Sequence, residues 1–418
     1  MLAVRLASVG VASRLIERSP TTGLGVAYST TCDLHLLNVR SGRMSAFAGD
    51  PGHFVRWLQV NHPDLADPEG FAPRRVYGEY VRDNLARAEA DHPGLIERIQ
   101  GEAVAVEEDG VTLADGGRVT AAAVVLATGN PPPKTAGDAS DGVIPDAWAA
   151  GALEAVRPSD SIVLIGAGLT MIDVVLMLHE RGWLGEATAI SRRGLTPRPH
   201  DARQAHPEPA LPEPGALSRR LNRGRRAADA EGWAITMDRL RPNNAVLWQG
   251  LDEDQRGRFL RHLRPWWDVH RHRVAPQPWS TVAGLLDAGR LSIRAGRIET
   301  IAASNGGLAV TWRPRGQATA ETLPADKVID CTGPGFDPRK APDALTRQLL
   351  ASGRARPAPL QLGLDVDNQG RLVGRDGVAS DRVFVLGPPA RAAFWETVAV
   401  PDIRERIADL ATRLAGLS

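Results

Sequence analysis

A glycine-rich turn at residues 166–171 is the strongest chemical signal in this sequence. It reads Gly-Ala-Gly-Leu-Thr-Met and lies directly after an apolar segment. Gly166 permits a tight turn, and Gly168 lets the backbone approach a pyrophosphate at the amino end of the following helix, beside Thr170. Met171 replaces the third glycine of the usual fingerprint. The turn predicts a dinucleotide site formed by Gly166, Gly168 and Thr170.

The pair Arg192-Arg193 indicates which dinucleotide binds there. It ends the segment 187–193, at the position where an acidic residue would bind the 2′-hydroxyl of NAD. Two arginines are better matched to a 2′-phosphate, so the expected cofactor is NADP. The alternative is a packed unit whose arginines simply face water.

A complete strand–helix–strand unit is needed to position these residues, and the sequence contains one. An apolar strand at 161–165 precedes the turn, a helix follows at 172–182, and a second strand lies at 187–193. The unit has about 30 residues, as a dinucleotide-binding βαβ unit does. The expected fold class is therefore α/β, with a Rossmann-like domain around this turn.

Residues 2–17 are similar to the second half of another such unit. A helical segment at 2–9 is followed by a short strand at 13–17 that ends in Glu17, which we expect to bind an adenosine ribose hydroxyl. The strand and glycine turn that would open this unit are missing from the sequence. We expect the chain to be short at its amino terminus, with a misassigned start as the simplest cause. A targeting peptide at residues 1–14 is the less favoured interpretation of the start of the sequence.

Several longer motifs resemble a bacterial family of FAD/NAD(P)-binding proteins. They include VVLATGNPPP, VIDCTGPG and FWETVAVPDIR, and the matching segments are 23–58, 71–81, 124–133, 163–178, 191–198, 260–276, 328–335 and 394–404. The resemblance thus covers essentially the whole chain. It implies a flavoprotein with two dinucleotide-binding domains that is distantly similar to flavin-dependent N-hydroxylating monooxygenases, with FAD and NADP as cofactors.

The same resemblance implies roles on the flavin side. Residues 43–45 would lie near the isoalloxazine ring, 128–129 would close the flavin domain, and 395–397 would approach the flavin from the carboxyl-terminal side. Pro388 follows Gly387 where many flavoproteins place an aspartate for the ribityl chain. The residues expected to border the flavin, besides Glu17, are Arg43, Met44, Ser45, Thr128, Gly129, Gly387, Trp395, Glu396 and Thr397.

The densest polar and aromatic cluster, residues 261–273, allows several interpretations. His270 and His272 could bind a metal, but the spacing supplies no third ligand. Trp266 and Trp267 could stack on nucleic-acid bases, although the near-neutral net charge weakens that interpretation. Two hypotheses are about equally supported: a pocket for a carboxylate or phosphate, and a helix that packs its tryptophans while its arginines face water.

Proline- and glycine-rich stretches set the expected domain boundaries. Residues 130–146 form the first such stretch, and 196–216 are expected to form a long loop or lid. The fold class is two Rossmann-like domains, the first discontinuous and without its first strand, with a helical insertion at 196–289 in the second. The expected divisions are the first part of the FAD-binding domain at 1–135, the NAD(P)-binding domain at 136–320 and the return of the FAD-binding domain at 321–418.

Composition excludes several classes of protein. The 50 lysines and arginines against 49 acidic residues give a net charge of +1, which argues against nucleic-acid or membrane coating. Only Cys32 and Cys331 are present, so a CxxC pair and hence a disulfide reductase are excluded. No apolar run approaches the roughly 20 residues that span a bilayer. The basic run at 219–226 is better explained as a solvated helix face.

The leading hypothesis is a cytoplasmic FAD-dependent oxidoreductase or monooxygenase that acts on a small molecule. NADPH would deliver hydride to the flavin, and the cofactor would carry the difficult chemistry. Arg43, Trp395 and His270 are the candidate catalytic residues, as groups that orient substrate or flavin. The alternative hypothesis is a non-enzymatic NADP-binding sensor or scaffold without a working flavin site.

Overall fold

Two parallel strands and a group of helices form the amino-terminal part of the computed structural model, which describes residues 1–133, 141–201, 208–209, 215–304 and 306–416. The elements are α1 (Leu2–Ala7), β1 (Ser13–Glu17), α2 (Gly25–Tyr28), α3 (His53–Asn61), α4 (Arg74–Asp91) and β2 (Ile96–Gln100). Strand β1 pairs in parallel with β2. Helices α3 and α4 bury a core that includes the aromatic residues Phe54, Trp57, Tyr77 and Tyr80.

A small antiparallel sheet follows in the chain. Its strands are β3 (Ala103–Val106), β4 (Gly110–Leu113) and β5 (Arg118–Thr120). Valines alternate with polar residues in this segment, and Val111, Leu113 and Val119 bury one face of the sheet. The next strand, β6 (Val124–Leu126), leaves this sheet and pairs with a strand near the carboxyl terminus.

The glycine-rich turn lies inside a regular strand–helix–strand unit. The elements here are β7 (Val143–Ile144), β8 (Ile162–Ile165), α5 (Leu169–Glu180) and β9 (Ala187–Ser191). Strands β8 and β9 pair in parallel. Met171, Val174 and Leu178, spaced three and four residues apart, are buried on the face of α5 that packs on the sheet. The predicted βαβ unit is thus observed.

A helical insertion separates β9 from its next neighbour in the sheet. Its helices are α6 (Leu217–Glu231), α7 (Trp233–Leu240), α8 (Asn244–Gln249), α9 (Glu253–Arg258), α10 (Arg264–Arg271) and α11 (Pro276–Asp287). Five residues of π-helix, Phe259–Leu263, join α9 to α10. The segment that contains α6 to α10 begins and ends at a narrow neck, where Pro199 and Val274 form a parallel bridge, and α11 follows the neck.

A seven-stranded sheet receives the chain after the insertion. The added strands are β10 (Leu291–Ser304), β11 (Gly307–Pro314), β12 (Glu321–Ala325) and β13 (Lys327–Asp330). The order is β12-β11-β10-β9-β8-β13-β7. The neighbours from β10 to β7 are parallel, and β11 and β12 add an antiparallel edge.

The carboxyl-terminal part returns to the first layers. Its elements are α12 (Ala344–Ser352), β14 (Arg371–Val373), β15 (Ala379–Val385), α13 (Arg391–Phe394) and α14 (Val400–Ala415). Strand β15 lies between β14 and β6 and runs parallel to β6. Leu410 and Leu414 of α14 pack against Leu6 of α1 and Phe384 of β15.

The architecture is the predicted α/β class with dinucleotide-binding layers and a helical insertion in the larger one. The sheet that contains the glycine turn continues to Asp330, because β13 pairs with β8, whereas the expected division lies between 320 and 321. The first expected division, between 135 and 136, lies outside the described residues. So do 202–207 and 210–214 of the proline-rich stretch. No helix within the described ranges is long and apolar enough to cross a bilayer.

Candidate cofactor and substrate site

The turn between β8 and α5 leaves the amino end of a helix open. Gly166 has a φ of +108°, and a Cβ there would lie 2.7 Å from the carbonyl oxygen of Cys331, so glycine is required. Gly168 is the N-cap of α5, no side chain caps that helix, and a Cβ at Gly168 would meet nothing within 4 Å. Thr170 in the first turn is half-buried. The free N–H groups of this helix end are suited to a pyrophosphate.

Arg192 and Arg193 follow β9 at the same edge of the sheet. Arg192 is exposed, whereas Arg193 is half-buried and places its Nη2 atom 3.4 Å from the carbonyl oxygen of Arg261. Within the described ranges neither guanidinium has an ion pair. Both are therefore available to an anionic group beside the turn.

A buried ion pair fastens α5 to the amino-terminal helices. Arg74 of α4 donates two hydrogen bonds of 2.9 Å to the two carboxylate oxygens of Asp173. His35 Nε2 lies 2.9 Å from the backbone oxygen of Asp173. The fork geometry satisfies both charges where water is excluded. The helix whose amino end is open is thus held against the first layer.

The predicted flavin-side residues Glu17, Thr128, Gly129 and Gly387 all follow strands. Glu17 ends β1, and its Oε1 accepts a 2.9 Å hydrogen bond from the backbone N–H of Ser19. Thr128 follows β6 and is exposed. Gly129 and Gly387 have φ values of +74° and +81°, with nothing within 4 Å of an added Cβ. Because β6 and β15 are parallel, Thr128 and Gly387 lie at the same sheet edge.

The segment 43–45 is fixed by its own loop and by α14. Arg404 Nη1 donates to the backbone oxygens of Arg43 and Ser45, at 3.2 Å each. The Ser45 hydroxyl donates a 2.6 Å hydrogen bond to the backbone oxygen of Asp50, and Met44 is buried. Burial lowers the pKa of Arg43, and Arg271 is among the charged groups near it. The segment and the insertion therefore meet at Arg43.

Glu396 is the centre of a buried polar cluster. Its Oε1 accepts a 2.7 Å hydrogen bond from Trp267 Nε1, and its Oε2 lies 3.1 Å from Arg271 Nε. His272 Nε2 is 3.6 Å from Oε1. Burial by itself would raise the pKa of Glu396, but Arg271, His272 and the Trp267 bond lower it to about 2. Glu396 is therefore an anion that holds the insertion, not a proton donor.

Asp402, near the start of α14, extends the cluster. Its Oδ2 lies 3.7 Å from Arg271 Nη2 and 3.9 Å from Arg241 Nη2. Burial raises the pKa of Asp402 and lowers that of Arg241 to about 9. Both shifts oppose the charged forms, so at these distances desolvation outweighs the attraction between the two groups.

Many polar atoms of this cluster are enclosed without a hydrogen bond, although several of them belong to the ion pairs described above. They are Arg271 Nε and Nη2, Glu396 Oε2, Thr397 Oγ1, Asp402 Oδ2, Arg241 Nη2 and Asp268 Oδ1. Buried polar groups in proteins nearly always have partners. A mixed set of donors and acceptors of this kind fits a polar ring such as that of a flavin, or a polar substrate beside it.

Trp395 lies in an aromatic cluster next to the polar one. Its ring stacks on Trp248 at 4.8 Å and meets Phe259 edge-on at 5.1 Å. Its backbone has a φ of +57°, which is unusual for a bulky residue. Such backbone strain is found where the surroundings over-determine a position. Trp395 thus fixes the direction in which the chain enters 396 and 397.

His270 faces away from the cluster that sequence reasoning assigned to it. Its Nδ1 lies 2.7 Å from the backbone oxygen of Trp266, and its ring packs edge-on against Trp233 at 5.0 Å. The neighbour that reaches Glu396 is His272. The two histidines diverge because residues two apart on a helix lie on different faces. In the described ranges no three His, Cys, Asp or Glu side chains could hold a metal ion.

Sequence reasoning did not single out Arg271, Trp267 or Asp402 as members of one site. Trp267 and Arg271 occur in the motif at 260–276, and Asp402 lies six residues after Glu396 in FWETVAVPDIR. The resemblance of both motifs to one family is the signal that could have connected them. Which side chains contact one another depends on how the fold brings the two motifs together.

Known proteins were compared with the chain in sequence and in structure. Residues 3–131 match the FAD-NAD(P)-binding family. No curated protein matches the chain in sequence. The ornithine N-hydroxylase KtzI of Kutzneria sp. 744, whose structure contains reduced FAD, NADP+ and L-ornithine, is 14% identical, with 100% of this chain and 97% of that chain covered and a TM-score of 0.64.

Two further solved structures extend the comparison. The FAD-bound cadaverine monooxygenase DfoA of Erwinia amylovora is 12% identical over 99% of this chain and 92% of its own, with a TM-score of 0.65. Thioredoxin reductase of Lactococcus lactis is 12% identical over 100% of this chain and 94% of its own, with a TM-score of 0.53. At these identities the likeness shows the fold.

The match over residues 3–131 confirms FAD and NAD(P) as the expected class of cofactor. The structural matches confirm the predicted resemblance to two-domain flavoproteins of the N-hydroxylating monooxygenase type. The thioredoxin reductase of Lactococcus lactis shares this fold, which the sequence analysis did not predict. The protein accordingly has a segment that matches the FAD-NAD(P)-binding family, within a fold of the two-dinucleotide flavoprotein type.

Proposed function

We propose that this protein is an FAD-dependent oxidoreductase or monooxygenase that takes hydride from NADPH and acts on a small molecule. The observation that carries the proposal is the open amino end of α5, where Gly168 leaves room for a pyrophosphate and Arg192 and Arg193 have no ion pairs in the described ranges. That arrangement suits NADP in particular, because a guanidinium binds a 2′-phosphate well.

The chain's own residues bind and orient the cofactors. The FAD, when bound, supplies hydride acceptance and oxygen activation. Glu17 would hold its ribose, and Thr128, Gly129 and Gly387 would border its extended part. The segments 43–45 and 395–397 would border the ring. The assignments rest on the resemblance and on the placement of these residues at strand ends and around the polar cluster.

The polar cluster would keep the reacting centre polar and fixed. Glu396 stays ionised because its pKa is about 2, so it orients Arg271 and His272 and does not exchange protons. Burial lowers the pKa of His272, which leaves this imidazole neutral near pH 7. Trp395 and Arg43 would position the ring, whereas His270 would support α10 from its other face.

The domain division follows from the same proposal. Residues 1–135 and 321–418 would form the flavin domain and 136–320 the nucleotide domain, with β12 and β13 completing the nucleotide sheet from the later segment. Structurally similar proteins are named for ornithine and cadaverine, so amines are the first substrates to test.

Purified protein tests the proposal directly. Visible flavin absorbance after FAD is added, together with NADPH oxidation faster than NADH oxidation, is the expected result. Gly168→Val should raise the Kd for NADP+ at least tenfold. Gly284→Val is the matched control, because Gly284 is exposed on α11 and equally uncrowded. Binding of NADP+ without FAD binding or NADPH oxidation would instead support a sensor or scaffold and contradict the enzyme.

A further inference from the structure

Arg391 is a buried arginine held between two aromatic rings. It is the first residue of α13 and only 8% exposed. Its guanidinium carbon lies 4.3 Å from the ring centre of Trp395 and 4.8 Å from that of Phe336. The flat faces of the group are thus covered, and only its edge is free to make polar contacts.

That edge has no partner in the part of the chain that the structure describes. The guanidinium of Arg391 makes no hydrogen bond and no ion pair within 4.0 Å there, and its Nε atom is fully enclosed. The two Nη atoms are not fully enclosed. The nearest charged groups are Arg264, which repels the guanidinium, and Asp268 and Glu396, which attract it from a longer distance.

Arg74 shows what a buried arginine ordinarily requires. It is also 8% exposed, yet it donates two hydrogen bonds of 2.9 Å to Asp173. Removing a charge from water is unfavourable unless a partner compensates, and stacking on aromatic rings compensates only in part. Burial lowers the pKa of Arg391 to about 10, so the group is still a cation near pH 7.

The position of Arg391 is that of a ligand contact. Gly387 and α13 follow the carboxyl end of β15, and Phe336 follows the carboxyl end of β13. These two strands belong to different sheets. In α/β folds, ligands bind beyond the carboxyl ends of the parallel strands. Arg391 therefore lies where two such edges meet.

We propose that Arg391 binds the oxyanion of a small molecule, a carboxylate or a phosphate, between Phe336 and Trp395. The planar fork of the guanidinium suits the paired oxygens of either group. The oxyanion belongs to the substrate or to a dinucleotide cofactor. Both assignments rest on the proposed function, whereas oxyanion binding as such does not.

The first test needs neither turnover nor FAD. Inorganic phosphate and acetate, added at constant ionic strength, should raise the unfolding temperature of the wild type by a few degrees and that of Arg391→Met by much less. Arg391→Met without ligand should unfold at the wild-type temperature or higher, because it removes an unpaired charge. Arg256→Met is the matched control, since Arg256 also stacks on a ring of this cluster, at 5.1 Å from Trp248, and should keep the phosphate response.

The second test identifies the source of the oxyanion. If it is a cofactor phosphate, Arg391→Met should raise the Kd for FAD or NADP+ at least tenfold, and Arg391→Lys should restore part of the affinity. If it is a substrate carboxylate, the variant should raise KM for L-ornithine, which has a carboxylate, and not for cadaverine, which has none, with kcat retained.

Arg391 is only structural if Arg391→Met lowers the unfolding temperature while the phosphate response and every affinity stay within twofold of wild type. That result overturns the proposal. A wild type that neither binds FAD nor oxidises NADPH, but responds to phosphate through Arg391, contradicts the proposed function and leaves oxyanion binding supported.

Discussion

In the β8–α5–β9 unit the buried side chains are almost all apolar, whereas around Glu396 they are charged or aromatic. The first region repeats simple rules: apolar strands, a helix with one apolar face and a glycine where the backbone is crowded. In the second region, residues from α10, α14 and the segment between α13 and α14 meet, and several polar atoms have no hydrogen bond.

The two regions differ in how much their buried side chains contribute to the stability of the fold. Apolar burial stabilises the unit around α5 without any ligand. In the cluster around Glu396, charged groups are removed from water and attract one another over imperfect distances. Desolvation therefore offsets much of the attraction, and the cluster stabilises the fold less than the apolar unit does. The apolar unit is thus the layer that would present the dinucleotide in the proposed function, and a polar layer that is less favourable to bury lies against it. The following substitutions separate the two contributions, from the largest expected effect to the smallest.

Gly166→Val should have the largest effect. A valine there combines backbone strain at a φ of +108° with a Cβ 2.7 Å from the carbonyl of Cys331, which together cost about 4–6 kcal/mol. Urea denaturation should show this loss of unfolding free energy or an insoluble protein. Gly168→Val should keep the wild-type midpoint and lose only NADP+ affinity. Equal midpoints for both variants would remove the structural distinction between the two glycines.

Arg74→Met tests the contact between the two layers. It leaves the carboxylate of Asp173 buried without its cation, which should reduce the free energy of unfolding by about 3–5 kcal/mol. The double variant Arg74→Met/Asp173→Leu should recover most of the loss in the same denaturation measurement. A double variant as unstable as the single one would show that the ion pair is not what holds α5.

Glu396→Gln tests the polar cluster through pH. The folded-state pKa of about 2 lies below the ordinary value of 4.5, so the carboxylate stabilises the fold above about pH 4.5, and this contribution is lost as the pH falls toward 2. At pH 7 the variant should be less stable by about 3 kcal/mol. Denaturation midpoints of the two proteins should converge between pH 5 and pH 2. Parallel curves would contradict the depressed pKa.

Arg192→Ala should have the smallest effect and leave stability unchanged. Loss of one guanidinium beside the 2′-phosphate should reduce the preference for NADPH over NADH about tenfold, equivalent to about 1.4 kcal/mol. The ratio of kcat/KM values measures this preference. Arg181→Ala removes an exposed arginine beyond the carboxyl end of α5 and should not change it. A ratio unaffected by Arg192→Ala would leave the choice of dinucleotide unexplained.

The sequence allowed the regular elements to be predicted well. Strand 13–17 is observed with those limits, and the strand expected at 161–165 is Ile162–Ile165. Local periodicity is sufficient for such elements because each buries one face. The strand expected at 187–193 is shorter and ends at Ser191.

The candidate site could be predicted only where its residues are close in sequence. Gly166, Gly168 and Arg192 belong to one unit, so their shared edge follows from the βαβ pattern. Glu396 and Arg271 are far apart in the chain, and their contact depends on how the insertion folds back. Helix phase explains why His270 faces away and His272 does not.

The neck at Pro199 and Val274 brings together the two ends of the segment that contains α6 to α10. Two backbone hydrogen bonds cross the neck. The N–H of Val274 donates to the carbonyl oxygen of Arg198 at 3.0 Å, and the N–H of His200 donates to the carbonyl oxygen of Val274 at 2.9 Å. The chain therefore leaves the nucleotide sheet and returns to it at a single point. Recombination could exchange the enclosed helices, with Trp267 and Arg271 among them, for another set without altering strand order. Under the proposed function, such an exchange would change the residues that border the substrate while the strands and the glycine-rich turn stay in place.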